Sequence, residues 1–199
     1  MHFINQKILL SIPFIASVAC TSVASASVLM GPITNPGNGH SYALLTHSSW
    51  TDAESEAISL GGHLATINDE AEQNWLLSIF SPNRDRHLWI GLNDVDQEGL
   101  FVWANGDPFI FSNFPPGEPN NFGGIEDYTY IDVAHGDAWN DLANIDEQIA
   151  PGGFFIPLHG VVEFSSGSVP EPSTAVLFSA SLITFIWARK RRKFINKTC

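Results

Sequence analysis

The sequence predicts an α+β domain: two amphipathic helices, short strands forming small antiparallel sheets, and a long loop region rich in oxygen ligands. Three observations carry that prediction. Apolar residues recur at helical spacing near residues 50–60 and again near 69–80. Short aromatic and β-branched runs, bounded by Gly, Pro, Asn or Asp, recur before, between and after these segments. Between Trp103 and Tyr128 the chain has neither period and is dense in Phe, Pro, Gly and Asn. A length of 199 residues suits one such domain with short accessory segments.

Taken in order from the start of the domain, residues 27–39 read as an irregular approach rich in Gly, Pro and Asn, and residues 41–46 as the first strand. Ser49 or Thr51 caps the first helix, and Thr51 with Glu54 fits a capping box. Trp50, Ala53, Ala57 and Leu60, with Ile58 beside them, mark its buried face, and Gly61-Gly62 ends it. A strand over 63–67 leads into a second helix, started by Asn68 or Asp69 and running to Phe80. Its inner stripe is Ala71, Trp75, Leu76 and Ile79. Residues 88–92 form a buried strand, and 101–103 alternate before a turn at Asn105-Gly106. Tyr128, Tyr130, Ile131 and Val133 make a central strand and residues 160–164 the last, with an insertion over 143–159 between them.

The stretch from Glu118 to Asp141 carries the chemistry. Glu118, Asn120, Glu126, Asn140 and Asp141 offer carboxylate and amide oxygens, with no nitrogen or sulfur ligand among them. Hard oxygen donors suit Ca²⁺, which takes about 6–8 of them, and do not suit Zn²⁺ or copper. Pro119 sets the backbone between two of these residues, and Gly123-Gly124 allows the reversal that brings Glu126 back toward Glu118. Phe109, Phe111, Phe114 and Phe122 approach and flank the stretch; such rings either stack on a bound ligand ring or pack the loop.

Charge narrows the function further. All but one of the 21 acidic residues fall within 27–165, where the only cations are Arg84 and Arg86. A domain so acidic repels phosphate backbones, so nucleic acid is not its partner. No H-E-x-x-H, G-x-S-x-G or phosphate-cradling glycine loop is present, and the reading is not an enzyme. His135 beside Asp137 is the nearest approach to an acid–base pair. Cys20 and Cys199 lie in the two terminal segments, so the domain rests on packing and bound ions rather than on disulfides.

The pieces Glu118-Pro119-Asn120, Glu126 and Trp139-Asn140-Asp141 resemble the calcium-dependent sugar site of the C-type lectin domain. Gly61 to Ile67, Trp89-Ile90-Gly91-Leu92 and Gly160 to Phe164 stand in the order that family uses, and the resemblance covers roughly residues 38–165. Animal members usually carry two disulfides, which this domain lacks. The resemblance implies a principal Ca²⁺ on Glu118, Asn120, Glu126, Asn140 and Asp141, the same residues bonding two vicinal sugar hydroxyls. The order E-P-N rather than Q-P-D implies mannose, glucose, N-acetylglucosamine or fucose over galactose. A second Ca²⁺ is implied on Asp94, Glu98, Asn121, Glu126 and Asp127, the alternative there being a solvated acidic loop. The implied function is calcium-dependent binding of a glycan or exopolysaccharide; the rival is a surface structural or protein-interaction module on the same fold.

The chain ends read as sorting segments around a domain over 27–165. Residues 1–26 read as a signal peptide, with Lys7, an apolar run and Ala24-Ser25-Ala26 as cleavage site; lipoprotein processing at Cys20 is the alternative. Residues 166–199 hold a linker, Pro170-Glu171-Pro172, an apolar run from Thr174 to Ala188 and the basic cluster from Arg189 to Lys193. That arrangement resembles the PEP-CTERM sorting signal of Gram-negative bacteria, which implies an exosortase partner and transient anchoring in the inner membrane before delivery to the envelope or beyond. A plain membrane anchor is the alternative reading, although the run is short of the roughly 20 residues a stable span wants.

Overall fold

Strand β2 (Ser41–His47) shows how the fold is layered. Tyr42 and Leu44 are buried in one core cluster, and Ala43 and Leu45 in the other. Successive strand residues point to opposite faces, so the sheet is covered on both sides and its strands read as nearly continuous apolar runs. The structure, a computed structural model of the chain, describes residues 28–150 and 153–165. The signal-peptide reading, both cysteines and the C-terminal sorting motif lie outside those residues.

Helix α1 (Trp50–Ser59) covers one face through Trp50, Ala53 and Ala57. The Trp50 indole donates to the Ile90 carbonyl at 2.7 Å. Helix α2 (Glu70–Phe80) covers the other through Leu76, Leu77 and Phe80. The remaining strands are β1 (Val28–Thr34), β3 (His63–Leu64), β4 (His87–Asn93), β5 (Val102–Trp103), β6 (Tyr128–Asp132), β7 (Ala138–Leu142), β8 (Glu147–Ala150) and β9 (Phe154–Phe164). The main path runs β1–β2–β9–β4–β6–β7, with β3 and β8 on β9 and β5 on β4. All pairs are antiparallel except β4 with β9, so the sheet is mixed rather than wholly antiparallel. Gly91 lies where the 63–67 segment crosses β4; a Cβ there would stand 2.6 Å from the Leu64 carbonyl oxygen.

Several local expectations are corrected. Residues 28–34 form an edge strand rather than an irregular approach; Pro32 is tolerated because an edge needs no ladder donor there. Ser49, not Thr51, caps α1, and no capping box forms because Glu54 turns inward to bond the Leu64 amide at 2.8 Å and His63 at 2.6 Å. Ile58 is exposed. The 63–67 strand shortens to two residues because the Thr66 amide bonds the Glu163 carboxylate instead of a neighbouring strand.

The buried stripe of α2 is also rotated from the expected one. Ala71 faces solvent while Glu72 and Gln73 go inside. Glu72 accepts from the Tyr42 hydroxyl and the Asn68 amide, and Gln73 accepts from the Trp139 indole at 2.7 Å. Satisfied hydrogen bonds let these polar groups occupy core positions that an apolar count assigns elsewhere. The 143–159 insertion is a hairpin of β8 and the first part of β9, and it leaves Ile149, Phe154 and Phe155 exposed.

Candidate functional site

Trp139 anchors the loop region. It is fully buried, with Trp103, Phe109, Phe111 and Phe114 packed around it. Its backbone amide donates to the Asn113 carbonyl at 2.9 Å. Three of the four phenylalanines flanking the site therefore pack the loop, while Phe122 is 78% exposed beside it. Pairing of β6 with β7 sets Asn140 opposite Tyr130 and Asp141 opposite Thr129. The two residues after Trp139 are thus delivered to the loop by the rigid sheet.

The loop closes onto them through backbone donors. Asp141 accepts from the amides of Asn120 at 3.1 Å and Asn121 at 2.7 Å, one on each carboxylate oxygen. Glu126 accepts from the Phe122 amide at 2.7 Å, and its own amide donates to the Asn121 side-chain oxygen at 3.1 Å. Asn121 holds φ +45°, a left-handed conformation Asn tolerates, and Gly123 and Gly124 follow at +73° and +71°. The Glu118–Pro119 peptide is cis. The turn brings Glu126 within electrostatic range of Glu118 and Asp141.

The residues of the second set also converge. The Asp94 amide donates to the Asp127 carbonyl at 3.1 Å, continuing the β4–β6 ladder one step past Asn93 and Tyr128. Asp94 accepts from the Gly99 amide at 2.7 Å, and the Asn121 side-chain amide donates to Glu98. Asp94 is almost fully buried, whereas Glu98 is exposed.

Electrostatics show what the arrangement lacks. Burial raises the Glu118 carboxyl above the ordinary carboxylate range, with the Asp141 charge adding to it and the Asn120 amide opposing. Burial likewise raises Glu126, helped by Asp141 and Glu118. Asp94 is raised by burial and by Asp127 and Asp141. Arg84 and Arg86 pair with Asp137 and Asp85, so neither described cation offsets these charges.

The donor set fits a hard cation. Glu118 Oε2, Asn140 Oδ1 and Asp94 Oδ1 are buried and have no hydrogen-bond partner. A buried acceptor without a partner is costly and calls for an explanation. Asp141 uses one lone pair on each oxygen for the loop and retains others for an ion. Among the described residues no three His, Cys, Asp or Glu side chains gather as a metal-holding group by themselves. A cation there would rely on the amide oxygens of Asn120 and Asn140 as well as on the carboxylates.

The family model described as "Lectin C-type domain" matches residues 46–146, just over half of the chain. The chain belongs to the C-type lectin domain family. Lectin BRA-3 of Megabalanus rosa is 38% identical over 99 residues, 45% of this chain and 59% of that protein. The alpha-N-acetylgalactosamine-specific lectin of Patiria pectinifera is 35% identical over 116 residues, 53% of this chain and 68% of that protein. The low affinity immunoglobulin epsilon Fc receptor of Mus musculus is 34% identical over 130 residues, 62% of this chain but only 38% of the receptor. The chain thus spans less than two thirds of some of these relatives.

Solved C-type lectin domains share the fold. CEL-I of Cucumaria echinata superposes with TM-score 0.52 at 25% identity, covering 62% of this chain and 89% of that one. The cow carbohydrate-recognition domain of CD23 superposes with TM-score 0.51 at 29% identity, covering 63% and 87%.

Reading the sequence alone misses some neighbours of the site. Tyr130 borders Asn140, whose amide donates to its hydroxyl at 3.4 Å; strand alternation opposite Asn140 would have pointed to it. Gln148, which accepts from the same hydroxyl at 2.5 Å, lies in the insertion and gave no signal. His135 bonds Asp132 at 2.7 Å, not Asp137, which Arg84 holds.

Proposed function

We propose that this C-type lectin domain binds carbohydrate through a calcium ion held by Glu118, Asn120, Glu126, Asn140 and Asp141. The observation that carries the reading is the buried, unpartnered pair Glu118 Oε2 and Asn140 Oδ1 within an uncompensated carboxylate cluster. Bound calcium would supply direct coordination of two vicinal sugar hydroxyls. The protein's part is to hold the oxygens rigid, with Asp141 pinning the Asn120–Asn121 turn and Glu126 closing it. Asp94, Glu98, Asn121, Glu126 and Asp127 form the candidate second site, which would brace the loop. Exposed Phe122 supplies an apolar ring at the rim.

Calcium titration of the purified chain tests this directly. Chelator-reversible binding is expected, with stabilisation of about 2.7 kcal/mol when free calcium is 100 times Kd. Affinity should fall on acidification, and the fall should begin above the ordinary carboxylate pKa of about 4, because Glu118, Glu126 and Asp94 are all raised. No binding at millimolar calcium would overturn the mechanism.

The E-P-N order supports mannose, glucose, N-acetylglucosamine or fucose as ligand, and the cow CD23 domain was crystallised in the presence of a GlcNAc2Man3 oligosaccharide. The double change Glu118→Gln with Asn120→Asp exchanges acceptor and donor and should move preference to galactose by about tenfold, the worth of one or two hydrogen bonds. A glycan array with unchanged order of preference would remove these side chains from sugar readout. One site binds a simple sugar weakly, so adhesion would need many displayed copies.

The same proposal places the protein in the envelope or extracellular matrix of a Gram-negative bacterium, sorted through Pro170-Glu171-Pro172 by an exosortase-type enzyme. No helix among the described residues is long and apolar enough to cross a membrane, and the sorting segment lies outside them. Replacing the three motif residues by Ala should leave an unprocessed, membrane-associated chain on fractionation; unchanged processing would count against the motif. A protein-contact role is the second reading, favoured by the exposed Ile149, Phe154 and Phe155 on the insertion hairpin.

A further inference from the structure

A cleft of about 210 Å³ opens directly beside the proposed calcium site. Glu118 and Asn140 form its shared wall, and Pro115, Asp132, His135 and Gln148 are among the other residues that line it. Drug-sized pockets occupy roughly 300–1,000 Å³, so this one is suited to a single additional ring. Its chemistry is mixed as a sugar requires: an apolar proline and the backing of Trp139, with polar groups at fixed positions.

Those polar groups are held in place by the fold. Asp132 is 5% exposed and accepts from the amides of Ala134 at 2.9 Å and His135 at 3.2 Å. It also engages His135 Nδ1 at 2.7 Å, which leaves the other ring nitrogen for a ligand. Gln148 is fixed through its oxygen by Tyr130 at 2.5 Å, and its amide nitrogen has no partner among the described residues. Gln148 reaches the cleft only because the insertion folds as the β8–β9 hairpin.

We propose that this cleft is a second saccharide subsite, taking the neighbouring residue of an oligosaccharide whose terminal sugar occupies the calcium site. The inference rests on the calcium-dependent reading above. No Lys or Arg lines the cleft, while Glu118 and Asp132 place two carboxylates there. A uronate or other acidic sugar would meet repulsion without a counter-charge, so the second residue is neutral. Gln148 donates to its hydroxyl or acetamido oxygens, and the free ring nitrogen of His135 accepts from a hydroxyl.

The test compares methyl mannoside, neutral mannobioses of each linkage, and counterparts whose second ring is a uronate, by calorimetry at saturating calcium. At least one neutral disaccharide should bind about tenfold more tightly than the monosaccharide, the worth of one or two hydrogen bonds. Its uronate counterpart should show no such gain. Gln148→Ala and His135→Ala lie outside the proposed calcium ligands and should abolish the gain while leaving calcium and methyl mannoside affinity unchanged. Monosaccharide binding without any disaccharide gain overturns the subsite alone. Equal loss of monosaccharide and disaccharide affinity in both variants overturns it too. Absence of calcium-dependent monosaccharide binding overturns the primary reading and the subsite with it.

Discussion

Glu126→Gln should lower calcium affinity by on the order of 100-fold while leaving the domain folded. The substitution keeps the size and an acceptor oxygen, so the bond from the Phe122 amide can survive. What it removes is one of the negative charges by which oxygen sites set their calcium affinity. Glu126 is nearly buried and stands in the field of both Asp141 and Glu118. It also belongs to the candidate second set through Asn121, whose side-chain oxygen accepts from its amide. Loss of an outer-shell partner typically costs about 10–100-fold in metal affinity, and loss of a ligand charge should cost at least the upper end of that range. Calcium titration of the variant checks the affinity, and circular dichroism in chelator checks the fold. Unchanged affinity would remove Glu126 from the ligand set.

The parts of this reading that were legible in the sequence share a physical property: they are local. Oxygen donors separated by Pro119, Gly123 and Gly124 can be read without knowing the rest of the chain, because the turn that gathers them is written in the same residues. Apolar periodicity found both helices, strands β2 to β6 and the end of β9, but it gave no strand at β1, β7 or β8. It failed where a polar side chain takes a core position through a distant partner. Glu54, Glu72 and Gln73 are satisfied by Leu64, Tyr42 and Trp139, and none of those pairings has a sequence period. The edge strand over residues 28–34 was masked by Gly31 and Pro32, whose local preference for turns yields to pairing with β2. Gln148 was invisible for the same reason as the Glu72 network: its partner Tyr130 comes from another strand.

Trp139→Ala should destabilise the domain by about 3–5 kcal/mol, the usual cost of truncating a large buried aromatic. The indole is fully buried among Trp103, Phe109, Phe111 and Phe114, and it donates to Gln73 from helix α2. Truncation leaves a cavity under the long loop and strips Gln73 of its aromatic partner. In thermal melting the midpoint should fall by about 10 °C or more at this chain size. The effect should not stop at stability. Asn140 and Asp141 follow Trp139 directly, and Asp141 is what holds the Asn120 and Asn121 amides. If the aromatic cluster sets the height of the loop over the sheet, calcium affinity measured below the melting transition should weaken as well. Trp139→Phe keeps an aromatic ring but loses the indole donor and part of the buried volume, so it should recover a large share of the stability and the affinity. A variant that loses stability but binds calcium with unchanged affinity would show that β6–β7 pairing alone positions the ligands. The aromatic cluster would then be a core feature with no bearing on the site.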